Sequence, residues 1–534
     1  MKSRCISLWL AIVLCSLPML ADGGHDHIMA GEKLGAVSFP VSCSPAVQKA
    51  FERGVALLHS FEYEPAQNQF KRIAQRDPHC AMAYWGQAMS LYHQLWEHPS
   101  KADLMQGRKL LEQAQQLKPP TAREREYINA LAVFYHDADK VAHPQRAAAY
   151  ARAMEAVYQH NPQDREAAVF YALSLLGSDE ADPTLANPRK AVAILSKIFD
   201  EQPDHPGVAH YIIHSCDNPQ MASFGLEAAR KYAAIAPASP HAVHMPSHIF
   251  ARLGLWQDDI HSNLAALQAA DKMEAMHLHV MHHRMHSMDF LQYAYLQIGE
   301  DHNAKAERDQ LAKLRREDIE KDYRDYYDDM VSSFAARYSI ERRQWRDALA
   351  LRPLAGAAAN IQLTTYWAHA IAAGHLHDPA AAQDALKTYE RLMEKVKTGP
   401  WGYLLDGLKD EHEEVQAWVA YAEGKNENAI RLLTEVAGRQ DKIGKGESDL
   451  PAREMLADML MELGRAREAL GEYEISLKTD PNRFNGLYGA AQAAEKLDQK
   501  KNAERYYAQL LKNCEGVNSD RAELAKARTL VAEE

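Results

Sequence analysis

The sequence is short of cysteine, of positive charge and of long apolar runs, and each shortage excludes something. Six cysteines in 534 residues are too few for a scaffold built on disulfides. Acidic side chains outnumber basic ones by 73 to 61, for a net charge of −12, the reverse of the basic surface that nucleic-acid binding needs. Beyond the N-terminus no stretch approaches the roughly 18 apolar residues of a membrane helix. Alternating β-branched runs are nearly absent, which leaves helices to carry the fold. The familiar catalytic signatures are missing too: no phosphate loop, no G-x-G-x-x-G after a strand, no G-x-S-x-G elbow and no H-E-x-x-H pair. With 47% hydrophobic and 25% charged residues, the composition is nevertheless that of an ordered globular chain.

The first residues, MKSRCISLWLAIVLCSLPMLADGG, carry Lys2 and Arg4 ahead of an apolar Ile6–Leu14 run and a Leu20-Ala21 cleavage point. This predicts a signal peptide over 1–21 and a periplasmic or secreted protein, followed by a flexible segment over 22–42. Leu14 before Cys15 is too bulky for a lipoprotein site. Export opens an oxidising compartment in which cysteines pair. Cys43 precedes a predicted helix pair and Cys80 follows it; the ends of an antiparallel hairpin meet, so these two are a candidate disulfide, the alternative being two buried thiols. Cys216 and Cys514 have no such argument.

What the sequence has is a repeat. Counting Leu450 as position 1 places Ala457 at 8, Gly464 at 15, Ala469 at 20, Tyr473 at 24 and Pro481 at 32. A shift of 34 gives Ala491, Ala503 and Tyr507 at 8, 20 and 24, and counting from Val47 gives Gly54, Ala66, Phe70 and Pro78 at 8, 20, 24 and 32. Small residues at 8 and 20 let two helices cross closely, an aromatic at 24 fills the gap, and proline ends the second helix. These positions resemble the tetratricopeptide repeat, a helix–turn–helix unit. The resemblance implies an all-α, right-handed α-solenoid over most of 43–517. It divides into a first array at 43–307, a charged helical connector at 308–355 and a second array at 356–534. It also implies that positions 2, 5, 9, 12 and 13 of each unit line a concave groove, the surface on which such solenoids bind peptides or proteins. Over residues 43–300 the chain is similar to exported bacterial tetratricopeptide-like proteins with a phrase such as Pro240–Gly254, PHAVHMPSHIFARLG. That likeness supports the fold and gives no reaction.

The second presence is histidine, 26 in all, with a cluster between 205 and 286. His210 and His214 are spaced i,i+4, and so are His244 and His248, each 34 residues after its counterpart. Such pairs share one helix face. Counted from Pro240, His241, His244 and His248 take groove positions 2, 5 and 9; counted from Met285, His286, Asp289 and Tyr293 do the same. His59 and His93 are also 34 apart, at position 13, and Trp85 falls at position 5, either as an aromatic platform in the groove or as a packed core residue. Helices about 8–10 Å apart let imidazoles converge, and a divalent metal wants three or four N or O ligands at about 2.0–2.2 Å. His210, His214, His244, His248, His286 and Asp289 are therefore candidate ligands for Zn, Cu or Fe, with His59, His93, Trp85, His241 and Tyr293 as candidate groove residues. His277, His279, His282 and His283 form a second cluster, read mainly as surface.

Two functions are compatible with this pattern. One is an exported scaffold binding a peptide or protein segment in its groove. The other is a metal-dependent hydrolase or oxidoreductase centred on the histidines. A pH-sensitive binder and purely structural histidines stand as further alternatives. Neither main reading involves nucleic acid or a membrane-spanning segment of the mature chain.

Overall fold

The structure, a computed structural model, describes residues 32–532 apart from 96–97, 179–181, 183, 276–279 and 400–406. The expected signal peptide, the start of the segment after it, His277 and His279 lie outside the described residues. Among the described residues there is no strand. Consecutive helices pack in pairs from Gln48–His59 with Tyr63–Arg76 to Phe484–Lys496 with Lys500–Asn513, and Ala522–Ala532 covers the last pair. The protein is an all-α solenoid of tetratricopeptide-like hairpins. None of the described helices is long and apolar enough to cross a membrane.

Local sequence starts these helices in ordinary ways. Ser100 and Asp103 cap each other's backbone at the head of Lys101–Gln116, and Thr121, Asp164, Ser239 and Asp378 accept from the first free N–H groups of theirs. The repeat positions pack as their residue types require. Phe70 lies between two helices that offer glycine: a Cβ at Gly54 would stand 2.7 Å from its ring, and one at Gly86 2.5 Å. Tyr473 meets Gly489 in the same way near the other end. An aromatic wedge against a glycine gap is thus the crossing contact at both ends of the array.

Residues 32–42, expected to be flexible, are instead a bound strap. Phe39 is fully buried and its ring meets Phe51, Trp85 and Tyr127 at 5.1–5.7 Å. Arg123 lies over the same ring. Ala36 N–H donates to the Asp204 carbonyl at 2.9 Å, and the Ser42 hydroxyl and N–H both reach Glu124. The strap continues into a disulfide between Cys43 and Cys80, while Ser44 N–H donates to Asp77 at 2.7 Å. One aromatic side chain with a box of rings to enter outweighs the polar, turn-rich composition around it.

The charged 308–355 segment is helical and joins the two arrays through packed contacts. Its helix Arg324–Glu341 buries Tyr327, Asp328, Phe334 and Ile340 and packs against Met281–Gln297 and Ala359–His375. The apolar interior does fall into two large bodies, Leu34 to Leu255 and Ala336 to Val531, with smaller clusters between them. Charged contacts close the second body onto the first. Arg483, 1% exposed, donates to Tyr293, Glu341 and Glu454, joining both arrays and the segment between them. Trp256 Nε1–H donates to the Asn482 carbonyl at 2.8 Å, and Arg252 to the Lys445 carbonyl at 2.7 Å. The loop at 444–450 is thereby laid over the central repeats. If the strap is integral, Phe39→Ala destabilises the protein by about 3–5 kcal/mol in chemical denaturation; a change below about 1 kcal/mol would show that it is peripheral.

Candidate metal centre

Three consecutive first helices carry the central histidines: Pro206–Cys216, the broken pair Pro240–His244 and Pro246–Arg252, and Met281–Gln297. The break sits at Met245 because Pro246 has no N–H for the helix ladder. His244 and His248 flank it and still meet, Nε2 to Nε2, at 3.1 Å. Ser239 anchors the start of this segment, accepting from Ala242 N–H and donating to Glu62 at 2.6 Å.

The first cluster is His210, His214 and His241. His210 Nδ1 faces the His59 carbonyl at 2.6 Å. A carbonyl only accepts, so Nδ1 carries the proton and the lone pair is on Nε2. Both His214 Nε2 and His241 Nε2 stand 3.0 Å from that atom. Three nitrogens held this close can also share a cation, each giving it a lone pair. Burial above all, with neighbouring imidazoles adding to it, pushes His214 and His241 well below the ordinary histidine range. Burial likewise holds His210 down at about 3. All three are neutral at physiological pH, the form that ligates metals.

The second cluster is His244, His248 and His286. Asn263 gives its amide N–H to Asp259 at 2.6 Å, so its oxygen accepts from His244 Nδ1–H, also at 2.6 Å. His244 Nε2 is again the lone-pair atom. His248 Nδ1–H is shared by Asp217 at 2.9 Å and Glu447 at 2.8 Å. Burial opposes charge on His248, but Asp217 and Glu447 outweigh it and raise the ring to about 10, so in the metal-free protein a proton on Nε2 bridges to His244. Carboxylates behind a ligand histidine are the usual outer partners of a metal site, fixing the ring and raising its basicity. Arg252 donates to Asp217 at 2.9 Å and holds this pair in place. Of the two acids, Asp217 is raised by burial and by Glu447; Glu447, despite its burial, is lowered by Arg252. His286 closes the group, its ring 4.4 Å from His244 and 5.5 Å from His248. Behind them Asp259 is fully buried, its carboxyl pushed well above the ordinary range chiefly by that burial, and its Oδ2 has no hydrogen-bond partner among the described residues.

In each of these two clusters the ligand nitrogens lie within 4.8 Å of one another. Other groups of this density are closed by chemistry already present. His59 Nε2 and His205 Nε2 each meet Glu166, at 2.9 and 2.8 Å. Their Nδ1 atoms accept from Tyr211 OH and Val208 N–H, so every position is used. Burial works against charge on Glu166, but the two histidines outweigh it and hold the carboxyl down at about 2. Cys43 and Cys80, near Asp77, are bonded to each other.

The remaining expected residues go elsewhere. Asp289 is not with the histidines: its carboxylate accepts from Arg337 at 2.7 Å and from Ser448 at 3.1 Å, because the Arg324–Glu341 helix packs over that face. His59 belongs to the closed Glu166 network. Trp85 is 1% exposed and packs edge-on against Phe39 and Phe170, a core residue and not a platform. Tyr293 is buried beneath Arg483. His93 stacks on Tyr63 at 4.2 Å and helps line a cavity of about 280 Å³ that runs from exposed Glu64 to His241, with Phe61, His283 and Tyr323 on its walls. Cys216 is buried, its thiol pushed up to about 12 by that burial, and supplies no thiolate. Sequence reasoning missed Asp217, Asn263 and Glu447. Asp217 lies three residues after His214, but Glu447 is 199 residues from its partner and carried no local signal.

No protein-family model matches the sequence, and no curated protein matches it. Among solved structures the chain is similar to one of Naa15/Naa10 bound to HypK-THB, at 12% identity over 91% of this chain and 73% of that one, with a TM-score of 0.24. It is also similar to a human IFIT1 dimer with m7Gppp-AAAA, at 12% identity over 81% of this chain and 90% of that one, with a TM-score of 0.35. Likeness at this level carries no statement about function, which has to be argued from the site.

Proposed function

We propose that this chain is an exported metalloprotein whose solenoid holds a transition metal among the histidines of its central repeats. The observation that carries the reading is the set of hydrogen bonds that fixes Nδ1–H outward on His210, His244 and His248. With those protons committed, the Nε2 atoms face one another. Nitrogens that already meet at 3.0–3.1 Å can turn their lone pairs to a shared cation with little rearrangement of the rings. Imidazole donors, with His248 giving up its Nε2 proton to the ion, suit Cu, Zn, Ni or Fe, and copper(II) binds nitrogen sites most tightly. An ion on three imidazoles keeps a position open, the pattern of catalytic zinc sites. That supports a metal-dependent enzyme, in which the ion would acidify bound water or polarise a substrate. The Cys43–Cys80 disulfide supports an oxidising compartment, in keeping with the signal peptide expected over 1–21. Protein purified without a histidine tag should contain at least one equivalent of metal and gain thermal stability on adding Cu(II) or Zn(II). His244→Ala/His248→Ala should lower the metal content. Metal-free protein whose melting point ignores both ions would end this reading.

A second reading, the peptide-binding scaffold, is favoured by a cavity of about 420 Å³ between the first helices Arg324–Glu341, Ala359–His375 and Lys409–Ala422. Asp329, Glu411, Glu414 and Asp449 line it beside Trp367. Burial, and then neighbouring carboxylates, raise Glu411 to about 7 and Asp329 to about 6. A cation on the ligand favours their charged forms, so a segment bearing lysine or arginine fits and an acidic one does not. Because these acids ionise as pH rises, a basic peptide should bind more tightly at pH 7.5 than at 5.5 in fluorescence anisotropy, and Glu411→Gln should weaken it severalfold. Equal binding of an acidic peptide, or none of the basic one, would exclude this reading.

A further inference from the structure

From the geometry we infer that the histidines form two adjacent metal sites, one on His210, His214 and His241 and one on His244, His248 and His286, holding a pair of ions side by side. The inference rests on the metalloprotein reading and adds the number and division of the ions. Six nitrogens around one ion at about 2.1 Å lie no more than about 4.2 Å apart. Within each triad the ligand atoms all fall inside 4.8 Å, while no group of that density mixes the two triads among the described residues. A single ion therefore does not reach all six from where the helices hold them.

Each triad is also built independently. His210 is oriented by the His59 carbonyl, whereas His244 and His248 are oriented by Asn263, Asp217 and Glu447. Their backbones differ as well: the second triad spans the proline break and the Met281–Gln297 helix, and the first uses the Pro206–Cys216 helix with the residue after Pro240. The triads nevertheless adjoin. His214 and His248 have ring centroids 6.3 Å apart, and His241 and His244 6.5 Å. The widest pair inside one triad, His214 and His241, is 6.3 Å apart. The gap between sites is thus hardly wider than a site. Two ions there come within reach of one bridging oxygen, on the order of 3.5–4 Å as in other two-metal centres. The cavity lined in part by His241 brings solvent, and so a small bridging ligand such as hydroxide, to the edge of the first triad.

Copper(II) is the probe, because its unpaired spin reports distance. The full-length mature chain, without a tag, is saturated with Cu(II), freed of excess by gel filtration and examined by metal analysis and electron paramagnetic resonance. The expected result is two coppers per chain whose spins are coupled, so that the spectrum departs from that of isolated Cu(II). His210→Gln and His286→Gln, one from each triad, should each retain about one copper with an uncoupled signal. His241→Gln tests the first triad again if His210→Gln does not fold. Saturation at one copper per chain would overturn the pair while leaving the metalloprotein reading standing. No copper at all would overturn both. Two coppers with independent spectra would show that the ions are not neighbours and overturn the pair.

Discussion

The centre depends on a few hydrogen bonds that decide where imidazole protons go. A buried neutral histidine has one N–H and one lone pair, and which nitrogen bears which is settled by the group facing it. The His59 carbonyl, the Asn263 amide oxygen and the Asp217–Glu447 carboxyls each claim an Nδ1–H. The Nε2 atoms are left facing inward, toward one another. The contrast with His59 and His205 is instructive: those rings are as deeply buried, but Glu166 takes their Nε2 protons and nothing is left over. The same residue type in the same repeats thus forms a closed stitch with a carboxylate in one place and a group of facing imidazole nitrogens in another.

The solenoid supplies what a single helical pair could not. Equivalent positions on neighbouring helices present side chains at nearly constant spacing, which is how histidines from three first helices come together. The array must then close, because Glu447 and Lys445 lie on a loop of the second half and reach His248 and Arg252 from there. Arg483, Trp256 and Asn482 hold that closure. A buried guanidinium shared by Glu341 and Glu454 is costly to break from one side, about 3–5 kcal/mol, so the lid over the site is not loosely attached.

Much of this was legible in the sequence where it is periodic. The 34-residue spacing located the helix pairs, the aromatic at position 24 against small residues, and the i,i+4 pairs His210–His214 and His244–His248. What is not periodic was hidden. Asp289 sits at a groove position, yet the Arg324–Glu341 helix captures it through Arg337. Trp85 also sits at a groove position, but Phe39 from the strap covers it, and the strap itself looked like a linker. The division into two triads follows from side-chain directions on three helices and a proline break, and no spacing rule contains those. His241 joins His210 and His214 across helices, although its own helix pairs it by sequence with His244.

X-ray absorption at the edge of the metal that copurifies with the untagged protein reads the ligands of that ion. The expected spectrum has a first shell of nitrogen at about 2.0–2.1 Å, with the outer-shell scattering of several imidazole rings and no sulfur. A sulfur shell, or an oxygen shell without imidazole scattering, would mean that the ion sits elsewhere and that the inward-facing histidines are not its ligands.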